Sequence, residues 1–214
     1  MRGVVLACGE AAESLVVPEG VRLHALPSRP GKAEVDPLLT AELVVAGTDA
    51  DLAAVVLRLL RKDKLGTTRV GYVPVGGRST VAAIWKLPAD PAAAMDLALT
   101  GSAGSVPLVR DDAGGVLLGR GVLEQPRGVA YCDDSVAFRG EASSVVVRPD
   151  TEGLVVTITR GTLFRRKETF RGRAFQFGGT PLSPLSDGVA YPRPMQRWTW
   201  YRHTHDLRLV LPSR

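Results

Sequence analysis

The stretch Glu42–Val56, Glu-Leu-Val-Val-Ala-Gly-Thr-Asp-Ala-Asp-Leu-Ala-Ala-Val-Val, most constrains what this chain can fold into. A short continuous apolar run suits a strand buried in a parallel sheet, the small residues around Gly47 to Asp49 suit a turn, and an apolar helix follows. The first turn of such a helix carries unpaired backbone N–H groups and the positive end of the helix dipole. The corner is therefore a candidate phosphate-binding turn, although doubly wound domains contain many such corners that hold only water.

The neighbouring sequence repeats the pattern. The helix after Asp49 carries Leu52, Val55, Val56, Leu59 and Leu60 at spacings of three and four, with Arg58, Arg61 and Lys62 near its far end, where cations favour the dipole. Thr68–Val75 reads as the next strand. It leads through Gly76-Gly77-Arg78-Ser79-Thr80 into a helix over Val81–Trp85. Two strand-turn-helix corners in succession lie side by side at the carboxyl edge of one parallel sheet, where α/β folds bind ligands. Upstream, Val4–Cys8 and Val21–Leu26 are strands separated by at most a turn of helix over Glu10–Ser14, and Asp36-Pro37 is expected to cap a helix start.

After a short Ala-rich helix over Pro91–Leu99 the texture changes. Val106–Arg110, Gly115–Leu123, Gly128–Cys132, Ser135–Arg139, Ser144–Val147 and Leu154–Thr159 are short strand candidates punctuated by Asp, Gly and Pro. The reading is an α/β domain over residues 1–103 and an antiparallel β domain over 104–214, with the last strand a candidate to return to the first domain. A length of 214 residues is comfortable for two modest domains.

Composition excludes several classes. Cys8 and Cys132 are too few for a disulfide scaffold, the opening segment is too short for a signal peptide, and no apolar stretch approaches the roughly 20 residues of a spanning helix. The expectation is a cytoplasmic protein that is not integral to the membrane, with peripheral membrane contact left open. The net charge of +5 is uneven: from Arg160 onward eleven Lys or Arg face only Glu168, Asp187 and Asp206, so that segment carries +8 and the rest −3. Within it, Arg160–Arg173 and Arg197–Arg202 interleave cations with aromatics. That mixture suits an anionic membrane surface or single-stranded nucleic acid, and is equally compatible with a solvated face plus packed tryptophans.

The glycine turns carry a resemblance. Ala46-Gly47-Thr48-Asp49-Ala50-Asp51-Leu52 resembles the Gly-Gly-Asp-Gly-Thr-Leu turn of the diacylglycerol kinase and related lipid kinase family, and Val73–Thr80 sits where that family has Pro-Leu-Gly-Thr-Gly-Asn-Asp. Leu87–Ala94 is similar to its helix after a Leu-Pro-x-Asp-Pro turn, and Gly101 followed by Val106–Val109 to its crossing strand. Arg148–Leu154 resembles its later hairpin, and Ser186-Asp187-Gly188-Val189 lies where Asp-Gly-Glu is expected. The resemblance covers about Leu43 to Pro212. It implies a doubly wound α/β domain of NAD kinase and diacylglycerol kinase type plus a β-sandwich, with ATP in the cleft between them and a magnesium-assisted transfer of the γ-phosphoryl group to a lipid hydroxyl. The nucleotide-contacting positions it implies are Gly47, Thr48, Asp49, Gly76, Gly77, Arg78 and Ser79. No catalytic residue and no metal ligand is assigned.

Departures from the family pattern are numerous. Thr48, Ala50 and Asp51 replace Gly, Gly and Thr; Gly77, Arg78, Ser79 and Thr80 replace Thr, Gly, Asn and Asp; and Val189 replaces the glutamate of Asp-Gly-Glu. A side chain where glycine had positive φ costs about 1–2 kcal/mol, and Asp51 is expected to set a carboxylate against a polyphosphate that only Mg²⁺ or Arg78 could offset. The family's Asn-Pro after its first strand is absent as well, so one wall of the pocket is expected to be missing. These changes imply altered or lost kinase activity. The alternatives are a non-catalytic binder of a lipid or phosphorylated ligand and, more weakly, a nucleic-acid binder acting through the basic aromatic tail; a homodimer stays open. His203 and His205, read on one side of a strand, are a two-ligand metal signal without a third group. Asp111-Asp112 and Asp133-Asp134 are turn residues by pattern and alternative places for a catalytic base. Cys132 reads as packing.

Overall fold

The computed structural model describes residues 3–161 and 165–213. Taken in order, the chain begins with β1 (Val4–Cys8), a single helical turn α1 (Ala11–Ser14), β2 (Arg22–Leu26) and α2 (Lys32–Val35). The 3₁₀ turn Asp36–Leu38 leads to β3 (Glu42–Gly47), α3 (Asp49–Arg61), β4 (Arg69–Pro74), α4 (Thr80–Trp85), α5 (Pro91–Thr100) and β5 (Ser102–Val106). Asp36 does not cap a helix, contrary to the Asp36-Pro37 signal. Its carboxylate instead accepts from Arg58 at 2.8 Å and pairs with Lys62 at 3.3 Å, so a charged pair across 22 residues wins over a local cap.

Twelve strands follow: β6 (Val109–Asp111), β7 (Val116–Leu117), β8 (Gly121–Glu124), β9 (Arg127–Cys132), β10 (Ser135–Glu141), β11 (Ser144–Pro149), β12 (Leu154–Arg160), β13 (Arg166–Gly172), β14 (Ala174–Leu182), β15 (Leu185–Ser186), β16 (Val189–Ala190) and β17 (Met195–Arg202). Val106–Arg110 is not one strand, because Pro107 offers no N–H for a ladder and splits it into β5 and β6. Gly115–Leu123 likewise divides into β7 and β8. Thr162, Leu163 and Phe164 of the basic aromatic segment lie outside the described residues. The chain ends with β18 (Leu207–Leu211).

Two compact units result: Met1–Val106 with His205–Arg214, and Pro107–Thr204. In the first, a six-stranded sheet runs β2-β1-β3-β4-β18-β5, parallel except for β18 against β5. The centre of β3 is buried from Leu43 to Gly47, as a central parallel strand requires, and Val5, Ala7, Val44, Ala46 and Val73 pack with Ala94, Met95 and Ala98 of α5. In the second unit, two six-stranded sheets, β10-β9-β14-β17-β6-β7 and β13-β12-β11-β8-β15-β16, enclose a core around Phe138, Phe175, Phe177, Trp198 and Trp200. The two tryptophans share one face of β17 and meet edge-on at 5.9 Å, which removes both rings from any outer surface. No helix among the described residues is long and apolar enough to cross a membrane.

Candidate functional site

The carboxyl ends of β1, β3 and β4 are neighbours in the first sheet, and each runs into a glycine turn with positive φ: Gly9 at +56°, Gly47 at +154°, Gly76 at +86° and Gly77 at +119°. Sequence reasoning singled out Gly47, Gly76 and Gly77 but not the first turn. Its signal was Cys8-Gly9-Glu10 directly after an apolar strand, hidden by the missing Asn-Pro. Glu10 sets a carboxylate oxygen 3.5 Å from the position a Cβ on Gly76 would take, at the same distance as the Thr48 methyl. The wall next to Gly76 is therefore built, and it is acidic.

Thr48 and Asp51 form a capping box at the start of α3. Thr48 has φ −79° and ψ 168°, ordinary extended backbone, so replacing a glycine there adds no strain. Ala50 sits within the helix. The expected double penalty at positive φ is absent. Asp51, expected to face a polyphosphate, is instead turned inward at 2% exposure. Its Oδ2 accepts from Thr48 N at 2.8 Å and Thr48 Oγ1 at 2.7 Å, and its Oδ1 accepts from Arg29 N at 2.6 Å. Gly47 is required because a Cβ there would stand 2.7 Å from Asp51 Oδ2.

Asp49 ties the two corners together. Its Oδ1 accepts from the Ser79 hydroxyl and lies 3.0 Å from the Tyr72 hydroxyl; its Oδ2 accepts from Thr80 N at 2.7 Å and Val81 N at 3.2 Å. Ser79 also caps α4, accepting from Ala82 N at 2.9 Å. Burial first, and the Asp49 charge second, push the Tyr72 hydroxyl well above its ordinary value, so it stays a neutral donor. Cys8 is pushed up to about 12, by burial and then by Asp51, and is inert as a nucleophile. Arg78 is exposed and makes no ion pair among the described residues.

This geometry bears on how ATP and Mg²⁺ would fit. Phosphate oxygens at a helix start need backbone N–H groups, and here Asp51 takes Thr48 N, Asp49 takes Thr80 N and Val81 N, and Ser79 takes Ala82 N. Glu10 beside Gly76, and Asp49 between the two helix starts, add negative charge to this corner, and Arg78 is exposed next to it. Among the described residues no group of three or more His, Cys, Asp or Glu could hold a metal. A phosphate would find these four N–H groups already taken, whereas the backbone N–H groups of Asp49, Ala50, Gly77 and Arg78 have no partner among the described residues.

The remaining candidates all make contacts within their own unit. The Asp187 carboxylate accepts from the backbone N–H groups of Leu118, Gly119 and Arg120 at 2.9, 2.7 and 2.8 Å, which fixes the turn ahead of β8. Asp111 accepts from Gly115 N at 2.7 Å and burial raises its carboxyl, while Asp133 accepts from Arg173 N and Ala174 N. Cys132 is pushed up to about 11 by burial and the Asp133 charge. His203 and His205 fall in the link between β17 and β18, not on a strand.

No family model matches the chain, and no curated protein matches it. Solved structures do. A diacylglycerol kinase from Bacillus anthracis str. Sterne superposes with a TM-score of 0.73 over 99% of this chain and 97% of its own, at 13% identity. This chain has the diacylglycerol kinase fold. An NAD kinase from Archaeoglobus fulgidus, in complex with ATP, matches with a TM-score of 0.56 over 98% of this chain and 93% of its own, at 11% identity. In this chain β18 returns to the first sheet after the β unit.

Proposed function

We propose that this chain is a diacylglycerol kinase-like protein in which ATP-dependent, magnesium-assisted transfer to a lipid hydroxyl is lost or altered, and which acts by binding a lipid or phosphorylated ligand. The observation that carries this reading is the inward capture of the turn donors by Asp49 and Asp51, so that two side chains occupy the places where phosphate oxygens would sit. Phosphoryl transfer depends on positioning and on compensating charge, so a turn with four of its donors taken and a carboxylate on its rim is poorly equipped for both. One observation favours retained activity instead: the three glycine turns still line up at adjacent strand ends.

Calorimetric titration with Mg-ATP decides between them. The expected result is no heat at millimolar nucleotide, no transfer of label from γ-labelled ATP to diacylglycerol in mixed micelles, and co-sedimentation with anionic vesicles that weakens with salt. Sub-millimolar affinity for Mg-ATP together with labelled lipid would overturn the reading. A gain-of-function variant sharpens it: Thr48→Gly with Ala50→Gly and Asp51→Thr opens the turn, and is expected to create nucleotide affinity where the parent has none.

A further inference from the structure

The outer face of the β10-β9-β14-β17 sheet carries a shallow depression of about 300 Å³ lined by Val129, Tyr131, Gln176, Phe177, Gly178 and Arg197. The strand register explains its shape. Arg139, Val129, Gly178 and Arg197 form one cross-strand row, and Val136, Tyr131, Gln176 and Thr199 form the next. Strands lie about 4.8 Å apart, so the two arginines of the first row stand about 14 Å apart with only a valine and a glycine between them. Tyr131, 39% exposed, and the Gln176 amide make one wall.

Gly178 is the informative residue. Its neighbours in sequence and across the strand are glycines for packing: a Cβ on Gly179 would strike Arg127 O, and one on Gly128 would strike Gly178 O. Gly178 has neither reason. Its φ is not in the left-handed region and a Cβ there would meet nothing within 4 Å. Glycine inside a strand weakens it, and it marks a bulge, a bend or a place where a ligand or another backbone comes close; the ladder to β17 is irregular from Gly178 to Leu182. The charge on this face is also unbalanced. Arg197 and Arg139 make no ion pair among the described residues, whereas the nearby Glu141 is held by Arg127 at 3.4 Å and Asp133 faces the Arg173 and Ala174 N–H groups.

We infer that this depression binds a planar ring carrying a phosphate, with the ring over Gly178 beside Tyr131, the polar ring edge on the Gln176 amide, and the phosphate on Arg197. An aromatic wall selects a flat group, an amide offers one donor and one acceptor, and a guanidinium forks onto phosphate oxygens. The chemistry is that of a phosphorylated nucleoside, either free or within a single strand. This site is independent of the Gly47 corner and of the proposed function.

The test titrates the full chain with uridine monophosphate, adenosine monophosphate, decathymidylate, decauridylate and inorganic phosphate, following heat and saturation transfer to ring protons. Expected are saturable binding of a mononucleotide, strongest transfer to the ring, and no binding of phosphate alone. Arg197→Ala and Tyr131→Ala should each weaken binding about tenfold, and Gly178→Leu should remove it, with unchanged emission from the buried Trp198 and Trp200 as the folding control. Oligonucleotides binding far tighter than monomers assign the site to a single strand; equal affinity per nucleotide assigns it to the free compound. Absence of saturable binding to 5 mM in every arm, on the order of a 3 kcal/mol ceiling, overturns the inference. So does nucleotide binding that survives Gly178→Leu, which would place the ligand at the Gly47 corner and count against the closed turn instead. Gly178→Ala should leave the melting temperature unchanged; a steep fall would mean the glycine serves the adjacent bulge between Gly178 and Leu182, and that too overturns it.

Discussion

The Gly47 corner and the outer face around Gly178 are opposite cases. The corner carries glycine turns that resemble those of a kinase, and Asp49, Asp51 and Ser79 answer four of its N–H groups from within. The outer face carries no motif and keeps an exposed ring, an amide and two arginines without partners among the described residues. The contrast makes a glycine turn a candidate ligand site only as far as its donors point away from the chain's own acceptors. A side chain that supplies the anion converts a binding turn into a structural one.

Four perturbations test that contrast, and they rank by how many buried groups each disturbs. Asp51→Ala is expected to be the most damaging. It leaves the Thr48 N–H, the Thr48 hydroxyl and the Arg29 N–H without their acceptor in a half-buried place, a loss of about 2 kcal/mol by urea denaturation. If stability barely changes, the inward capping box is not what holds the corner. Gly47→Ala comes second, at about 2 kcal/mol, since the new Cβ meets Asp51 and the φ of +154° resists a side chain. The double variant with Asp51→Ala should recover part of the steric share, and strict additivity would show that the contact is not the cause.

Asp49→Asn is expected to cost about 1 kcal/mol, because the amide has one acceptor atom where the carboxylate serves the Ser79 and Tyr72 hydroxyls and the Thr80 and Val81 N–H groups. It should leave nucleotide titrations as flat as in the parent chain. A change in Mg-ATP binding would give Asp49 a role in ligand contact that the closed corner denies it. The smallest effect belongs to the Asp36 pair with Arg58 and Lys62. The hydrogen bond from Arg58 lowers the Asp36 carboxyl below its ordinary 3.8, so the pair contributes stability above that range and loses it as pH falls through the lowered value. Asp36→Asn should flatten a slight acid-side decline in melting temperature and leave the neutral region nearly unchanged; an equal loss at every pH would mean that packing, not charge, is at work.

Much of the fold was legible in the sequence, because it rests on patterns short enough to read locally. The strands Val4–Cys8 and Glu42–Gly47, the helix from Asp49 and the glycine turns at Gly47 and Gly76 follow from apolar runs, a three-and-four stripe and residues that tolerate positive φ. The alternating short strands after Ser105 announced antiparallel sheets for the same reason. Turn types and strand ends were the weaker part. Pro107 split a strand that read as continuous, and Asp36 chose Arg58, a partner 22 residues away, over the cap its neighbour Pro37 suggested.

Only the tertiary structure decided what the candidate site can do. Spacing placed Thr48, Asp49, Asp51 and Ser79 in one corner, but the direction of each carboxylate depends on where Arg29, Tyr72 and α4 are brought by other parts of the chain. Those partners are 22 to 32 residues away in sequence, and no local rule connects them. The same holds for the outer face, where Gly178 and Arg197 become neighbours only through strand register. Local propensity sets which backbone groups exist and where turns fall; long-range pairing sets which of them the chain satisfies itself and which it leaves for a ligand.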